Sequence, residues 1–221
     1  MVLRAYLEID NYVVTEAGTG ADALRALDVP GIDLILLDVG LPDIDGLEVL
    51  RRLRARSDAT AALPVILVTA RAEEVDTLVG LAVGADDYVT KPFSPREVVA
   101  RVKTILRRSP ATLRAEASRT VLNFPGLRIE LARREITRHG RPVELSALEF
   151  DLLAALAGSP GRVFSRDQLL ERVWGYDFFG DQRVVDVHIR SIRRALGDDA
   201  ASPTIIGTVR GVGYKFLLDW R

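Results

Sequence analysis

The 221-residue sequence contains no cysteine. That absence removes disulfides, thiolate nucleophiles and zinc–thiolate centres, and it agrees with a reducing compartment. No apolar stretch approaches the roughly 20 residues a membrane-spanning helix requires. The first residues, Met1-Val-Leu-Arg-Ala-Tyr-Leu-Glu8, have the spacing of an amphipathic helix and not of a signal peptide. No repeat or low-complexity segment stands out. These absences point to a soluble, cytoplasmic chain with no membrane partner. A hydrophobic content of 48% is enough for ordinary packed cores, and the length permits one or two domains.

The net charge of −1 hides an asymmetry: residues 1–108 carry −4 and residues 109–221 carry +3. The second half is therefore the candidate for a polyanionic partner. Between them, residues 107–120 have no sustained apolar period and follow a helical pattern with Val98, Val99, Val102, Ile105 and Leu106 on one side. The chain reads as a first domain at 1–108, a linker at 109–120 and a second domain at 121–221. In the first, expected strands at 12–17, 32–38, 65–69 and 87–91 alternate with helices at 2–9, 19–28, 45–56, 72–83 and 95–107. This alternation predicts an α/β doubly wound parallel sheet.

The apolar run Ile32-Asp-Leu-Ile-Leu-Leu37 ends in Asp38-Val-Gly-Leu-Pro42, Val65-Ile-Leu-Val68 ends in Thr69-Ala70, and Tyr88-Val-Thr90 ends in Lys91-Pro92. Three strand ends thus present an acid, a hydroxyl and an amine, at the edge where open α/β sheets build their sites. Singly, each has a plain structural explanation as a turn former, a helix cap or a solvated charge. Together with Asp45-Gly46 and Gly84-Ala-Asp-Asp-Tyr88, their order and spacing closely resemble the receiver domain of two-component response regulators.

The resemblance implies that Asp38 is the acceptor of a phosphoryl group from a sensor histidine kinase. It further implies that Lys91, aimed inward by a cis peptide bond to Pro92, pairs with a phosphoryl oxygen while Thr69 hydrogen-bonds another. A carboxylate is a weak nucleophile, so positioning and charge neutralisation would supply most of the catalysis. Mg²⁺ would bind Asp38, the Gly40 carbonyl and an acidic pair that follows the family's first strand. Neither that strand nor that pair is found in this sequence, and Asp10, at the end of the first helix, cannot replace it. A truncated or mis-started chain is the simplest account; a rearranged or degenerate receiver is the alternative. With Asp38 as the sole acid, poor Mg²⁺ binding and slow or absent phosphorylation are expected.

Tyr88 is the candidate switch aromatic, coupled to Thr69, with a half-buried strand tyrosine as the plainer reading. Homodimerisation on activation is expected through Asp86, Asp87, Glu97, Arg101 and Arg108. Thr77 stands where the family usually has a lysine, which weakens that expectation by the 0–1 kcal/mol or so of an exposed pair.

The second half reads as short strands, then helices, then a hairpin. Ser146-Ala-Leu-Glu149 and Ser165-Arg-Asp-Gln168 are capping-box matches opening two apolar helices. In a third helix, from Gln182 to Leu196, Val185, Ile189, Ile192 and Leu196 mark a buried face, while Arg183, Val187, Arg190 and Arg194 follow the same spacing on another. Thr208-Val-Arg-Gly-Val-Gly-Tyr-Lys215 reads as a hairpin with Arg210 near its tip. These features closely resemble the α+β winged helix-turn-helix domain of the OmpR/PhoB family. By resemblance, Arg183, His188, Arg190, Arg193, Thr208, Arg210 and Tyr214 contact duplex DNA, mostly at phosphates. The loop from Trp174 through Tyr176 and Asp177 to Asp181 matches one that can touch RNA polymerase, although core packing suits Trp174 equally well.

The sequence thus predicts a transcription factor, not an enzyme, controlled by phosphorylation of Asp38 and binding tandem half-sites as a dimer. Phosphorylation-independent DNA binding is the alternative. A phosphatase using Asp38 is disfavoured because Gly40 stands where such enzymes commonly carry a second acid, and a pure adaptor is disfavoured by the arginine-rich helix and hairpin.

Overall fold

A computed structural model describes residues 2–70, 83–106, 121–175 and 182–220, which fall into two compact units, Met1–Leu106 and Arg107–Arg221. The expected linker at 109–120, Thr77, Arg108, Tyr176, Asp177 and Asp181 lie outside the described residues, as does nearly all of the helix expected at 72–83.

In the first unit, α1 (Val2–Ile9), α2 (Gly20–Ala26), β1 (Ile35–Asp38), α3 (Gly46–Arg54), β2 (Val65–Thr69), β3 (Asp87–Thr90) and α4 (Pro95–Leu106) follow in order. The strands form a parallel sheet in the order β1-β2-β3, with Asp38 opposite Val68 and Thr69 opposite Thr90. Every β2 residue is buried, as expected of a central parallel strand whose apolar run does not alternate. On one face Leu34, Leu36, Ile66 and Val89 pack with Leu7 of α1 and with Val98, Val99, Val102 and Ile105 of α4. On α3, Val49, Leu50 and Leu53 form the buried stripe.

The strand expected at 12–17 does not form. Tyr12 and Val14 pack onto the α1/α4 core while Val13 between them is fully exposed, so the alternation of a strand is present. A strand also needs a hydrogen-bonded neighbour, and among the described residues β1 pairs with β2 and makes no ladder with 12–17. Residue pattern selects the face a segment buries, but not whether a ladder exists beside it.

Arg54 ties this unit together. Its guanidinium donates to the carbonyls of Gly84 (2.8 Å), Ala61 (2.8 Å) and Leu63 (2.8 Å) and to the fully buried carboxylate of Asp86 (3.0 Å). Asp86 also accepts from Val65 N at the start of β2 (2.8 Å), so one ion pair fixes the end of α3, the entry to β2 and the turn before β3.

The second unit begins with an antiparallel meander, β4 (Val121–Phe124), β5 (Leu127–Glu130), β6 (Glu135–Arg138) and β7 (Arg141–Val143). It continues with α5 (Ala147–Ala157), β8 (Val163–Ser165), α6 (Arg166–Val173), α7 (Arg183–Leu196), β9 (Ile206–Val209) and β10 (Gly213–Phe216). The last three strands form an antiparallel sheet ordered β8-β10-β9. Both expected capping boxes are present, Ser146 with Glu149 and Ser165 with Gln168. A β-carbon at residue 213 would lie 1.9 Å from the Phe164 carbonyl oxygen, so only glycine lets β10 approach β8 this closely.

Replacing Arg54 by alanine should destabilise the first unit by about 3–5 kcal/mol, because it strands a buried carboxylate. Chemical denaturation of Arg54→Ala should show that loss, and adding Asp86→Ala should recover part of it.

Candidate functional sites

Parallel pairing brings the ends of β1, β2 and β3 side by side. Val39 N donates to Val68 O (2.9 Å) and Lys91 N to Thr69 O (2.7 Å), which locks the loops leaving the strands. The Lys91 ammonium contacts Asp38 Oδ2, while Asp38 Oδ1 accepts from Gly40 N (3.0 Å). Both side chains are more than a third exposed, so the pair is open to a reactant from solvent. The Lys91-Pro92 bond is cis. Gly46 lets α3 begin against this loop: a β-carbon there would meet the Asp38 carbonyl oxygen at 2.2 Å. Thr69 is buried at the end of β2, and Tyr88 is half-buried on β3 opposite Leu67.

Mg²⁺ requires near-octahedral oxygen ligation, usually with one or two carboxylates. Among the described residues, Asp38 is the acid at this end of the sheet that could supply one, and it already meets Lys91. Asp43 caps α2, accepting from Gly20 N (2.7 Å) and Ala21 N (3.0 Å); these amides hold its carboxyl below the usual range. Asp45 caps α3 through Leu47 N (2.7 Å). Among the described residues, no group of three or more His, Cys, Asp or Glu side chains could hold a metal. The donor set among the described residues does not fit Mg²⁺ on its own.

Of the side chains expected to pair between protomers, Asp86, Asp87, Glu97 and Arg101 are already engaged within one chain. Asp87 meets Arg101 at 2.8 Å with both buried, and Glu97 meets the same guanidinium at 2.8 Å. Burial opposes the Arg101 charge, but Asp87 and Glu97 more than offset it and raise its pKa. Asp86 is held by Arg54. An interface built on these residues would have to exchange intrachain partners for interchain ones.

In the second unit, α7 presents Arg183, Arg190 and Arg194 along one exposed stripe, and Arg210 is exposed at the β9–β10 turn. Arg190 and Arg210 have no ion-pair partner among the described residues, which leaves both cations to solvent. Val185, Ile189, Ile192 and Leu196 are buried as expected. Three expected DNA contacts are placed differently. His188 is fully buried, its ring centroid 5.6 Å from that of Trp174, so it is a core residue here. Arg193 is buried, donating to the Ile206 carbonyl and to Thr208 Oγ1 (2.9 Å). Tyr214 is buried, with its hydroxyl donating to Asp186 (2.7 Å). Thr208 is exposed on β9. Trp174 is also buried, which suits core packing. His188 lies three residues after Val185 and four before Ile192, so the helical period itself carries it toward the buried face, where it meets Trp174.

Comparison with known proteins agrees with both halves. The model of the response regulator receiver domain matches residues 1–103, and that of the transcriptional regulatory protein C-terminal domain matches residues 140–216. The sensory transduction protein RegX3 of Mycolicibacterium smegmatis is 44% identical over 213 residues, covering 96% of this chain and 92% of the relative. The chain belongs to the OmpR/PhoB family of response regulators. The transcriptional regulatory protein ResD of Bacillus subtilis is 43% identical over 220 residues, covering 97% of this chain and 90% of its own. A solved structure of a RitR mutant superposes with a TM-score of 0.76 at 31% identity, covering 97% of this chain and 92% of that one. This response regulator is therefore a DNA-binding transcription regulator of a two-component system. No helix among its described residues is long and apolar enough to cross a membrane.

Burial, and next the hydrogen bond to Asp186, push the Tyr214 hydroxyl up to about 12. An unfolded tyrosine titrates near 10, so the folded state holds this proton more tightly. The resulting stability is complete below pH ~10 and is lost as pH rises through the folded value. Denaturation of the wild-type chain from pH ~9 to ~12 should show this decline, and Tyr214→Phe should flatten it.

Proposed function

We propose that this regulator is switched by phosphorylation of Asp38. The Asp38–Lys91 contact at the ends of β1 and β3 carries this reading, because it sets a nucleophilic carboxylate beside a cation that can neutralise an incoming phosphoryl oxygen. A carboxylate oxygen of Asp38 attacks the phosphorus of a phosphohistidine on a sensor kinase. The P–O bond forms as the P–N bond breaks, and the imidazole takes up a proton. Thr69 then meets a phosphoryl oxygen, Tyr88 turns inward, and the first unit favours homodimerisation. Pairing two second units raises the effective concentration of each at tandem half-sites, with α7 in the major groove and the β9–β10 turn toward the minor groove. The exposed Arg183, Arg190 and Arg210 support phosphate contact; the loop through Tyr176 and Asp177 is the surface for RNA polymerase. The protein acts in the cytoplasm.

A second reading, DNA binding without phosphorylation, is favoured by one observation: Asp43 and Asp45 are committed to helix caps, so that among the described residues no further acid beside Asp38 is free for Mg²⁺.

Intact-mass analysis after incubation with acetyl phosphate separates the two. Slow phosphoryl incorporation is expected, little changed by added Mg²⁺ and abolished in Asp38→Asn. No incorporation at any Mg²⁺ concentration would leave the phosphorylation-independent reading. On the DNA side, Arg190→Ala should weaken binding to all duplexes alike and reduce the salt slope by about one phosphate contact, measured by fluorescence anisotropy across salt concentrations.

A further inference from the structure

An acid stands in the arginine stripe of α7. Asp186 lies three residues after Arg183 and four before Arg190, and its side chain is 38% exposed. On a surface that meets polyanionic DNA, such a carboxylate repels phosphates, and its desolvation there is unfavourable. Its contacts explain what it does instead. One oxygen, Oδ1, accepts both Arg166 Nε (2.7 Å), from the first residue of α6, and the Tyr214 hydroxyl (2.7 Å), from β10. The Arg166 guanidinium lies 5.3 Å from the centre of the Tyr214 ring and that of Arg193 lies 5.8 Å from it. Arg193 in turn reaches Thr208 on β9 at 2.9 Å. A single carboxylate therefore joins α6, α7 and the hairpin, and at the same time neutralises a cation beside the exposed stripe.

We infer that Asp186 is a positioning residue for DNA recognition that trades affinity for discrimination. It fixes α7 against the hairpin and keeps Arg166 from serving as an indiscriminate phosphate contact. This rests on the DNA-binding reading above. Specificity is a difference between two affinities, and suppressing contacts to any phosphate widens that difference as surely as adding a contact to one base.

The test uses the full chain and two duplexes of equal length: one selected by the wild-type protein from a randomised pool, the other a scrambled version. Asp186→Asn removes the charge while keeping an acceptor for Tyr214. Tyr214→Phe removes the hydroxyl while keeping the charge. Asp186→Ala removes both. On scrambled duplex, Asp186→Asn and Asp186→Ala should bind more tightly, with a salt slope steeper by about one phosphate contact. The preference for the selected duplex should fall about tenfold in Asp186→Ala. Tyr214→Phe should lower that preference without steepening the slope. If the Asp186 variants instead lose affinity for both duplexes in proportion to a fall in Tm, with unchanged slope, the residue is structural only and the inference fails. A wild-type chain that selects no duplex would overturn the DNA-binding reading itself.

Discussion

The parallel register of β1, β2 and β3 is the constraint on which the chemistry of the first unit depends. Asp38, Thr69 and Lys91 are far apart in sequence, and nothing local draws them together. Pairing Asp38 with Val68 and Thr69 with Thr90 places three strand ends in one row. Because side chains alternate along a strand, a slip of one residue would turn each to the opposite face. The register is in turn held where Asp86 accepts from Val65 N while bound to Arg54. A buried ion pair on the far side of the unit thus fixes the geometry of the exposed one.

Charge in this protein follows burial closely. Arg54, Arg101 and Arg193 are spent internally on Asp86, Asp87 and backbone carbonyls, whereas Arg190, Arg194 and Arg210 are left to solvent. Of the internal three, Arg54 and Arg101 belong to the first unit, so the exposed arginines of α7 and the β9–β10 turn are what the second unit presents to a polyanion. The interior cations satisfy buried acids, and their fields are largely cancelled within a few ångströms.

Much of this was legible in the sequence because it rests on local rules. The helices opened by Ser146 and Ser165 follow from capping chemistry, and the buried face of α7 follows from a 3.6-residue period. The strand-end triad followed from apolar runs and their punctuation. What could not be read is pairwise and nonlocal. Residues 12–17 have a strand's alternation but no ladder partner among the described residues. His188 is carried inward by helical phase, but its meeting with Trp174, which precedes α7 in the chain, is not visible in the sequence. Asp198, which accepts from the amides of Thr204, Ile205 and Ile206, looks in sequence like any acid after a helix. Nothing in the chain order of Arg166, Asp186 and Tyr214 reveals that they meet.

The electrostatics at Asp38 sets what a switch here must accomplish. In the unmodified protein one carboxylate faces one ammonium, and the local charge is balanced. A phosphorylated side chain carries roughly −1.5 to −2 at neutral pH, more than Lys91 alone can neutralise. The excess must be met by hydrogen-bond donors or by moving a cation. The Gly40 amide already donates to Asp38 (3.0 Å), and the neighbouring strand β2 ends in the hydroxyl of Thr69. Thr69 is buried, so recruiting it moves a core residue at the end of β2. Close-packed interiors shift between discrete arrangements and do not deform freely. A charge imbalance of this size beside a buried threonine is therefore the physical lever by which a surface modification would reach Tyr88 and the β3–α4 edge.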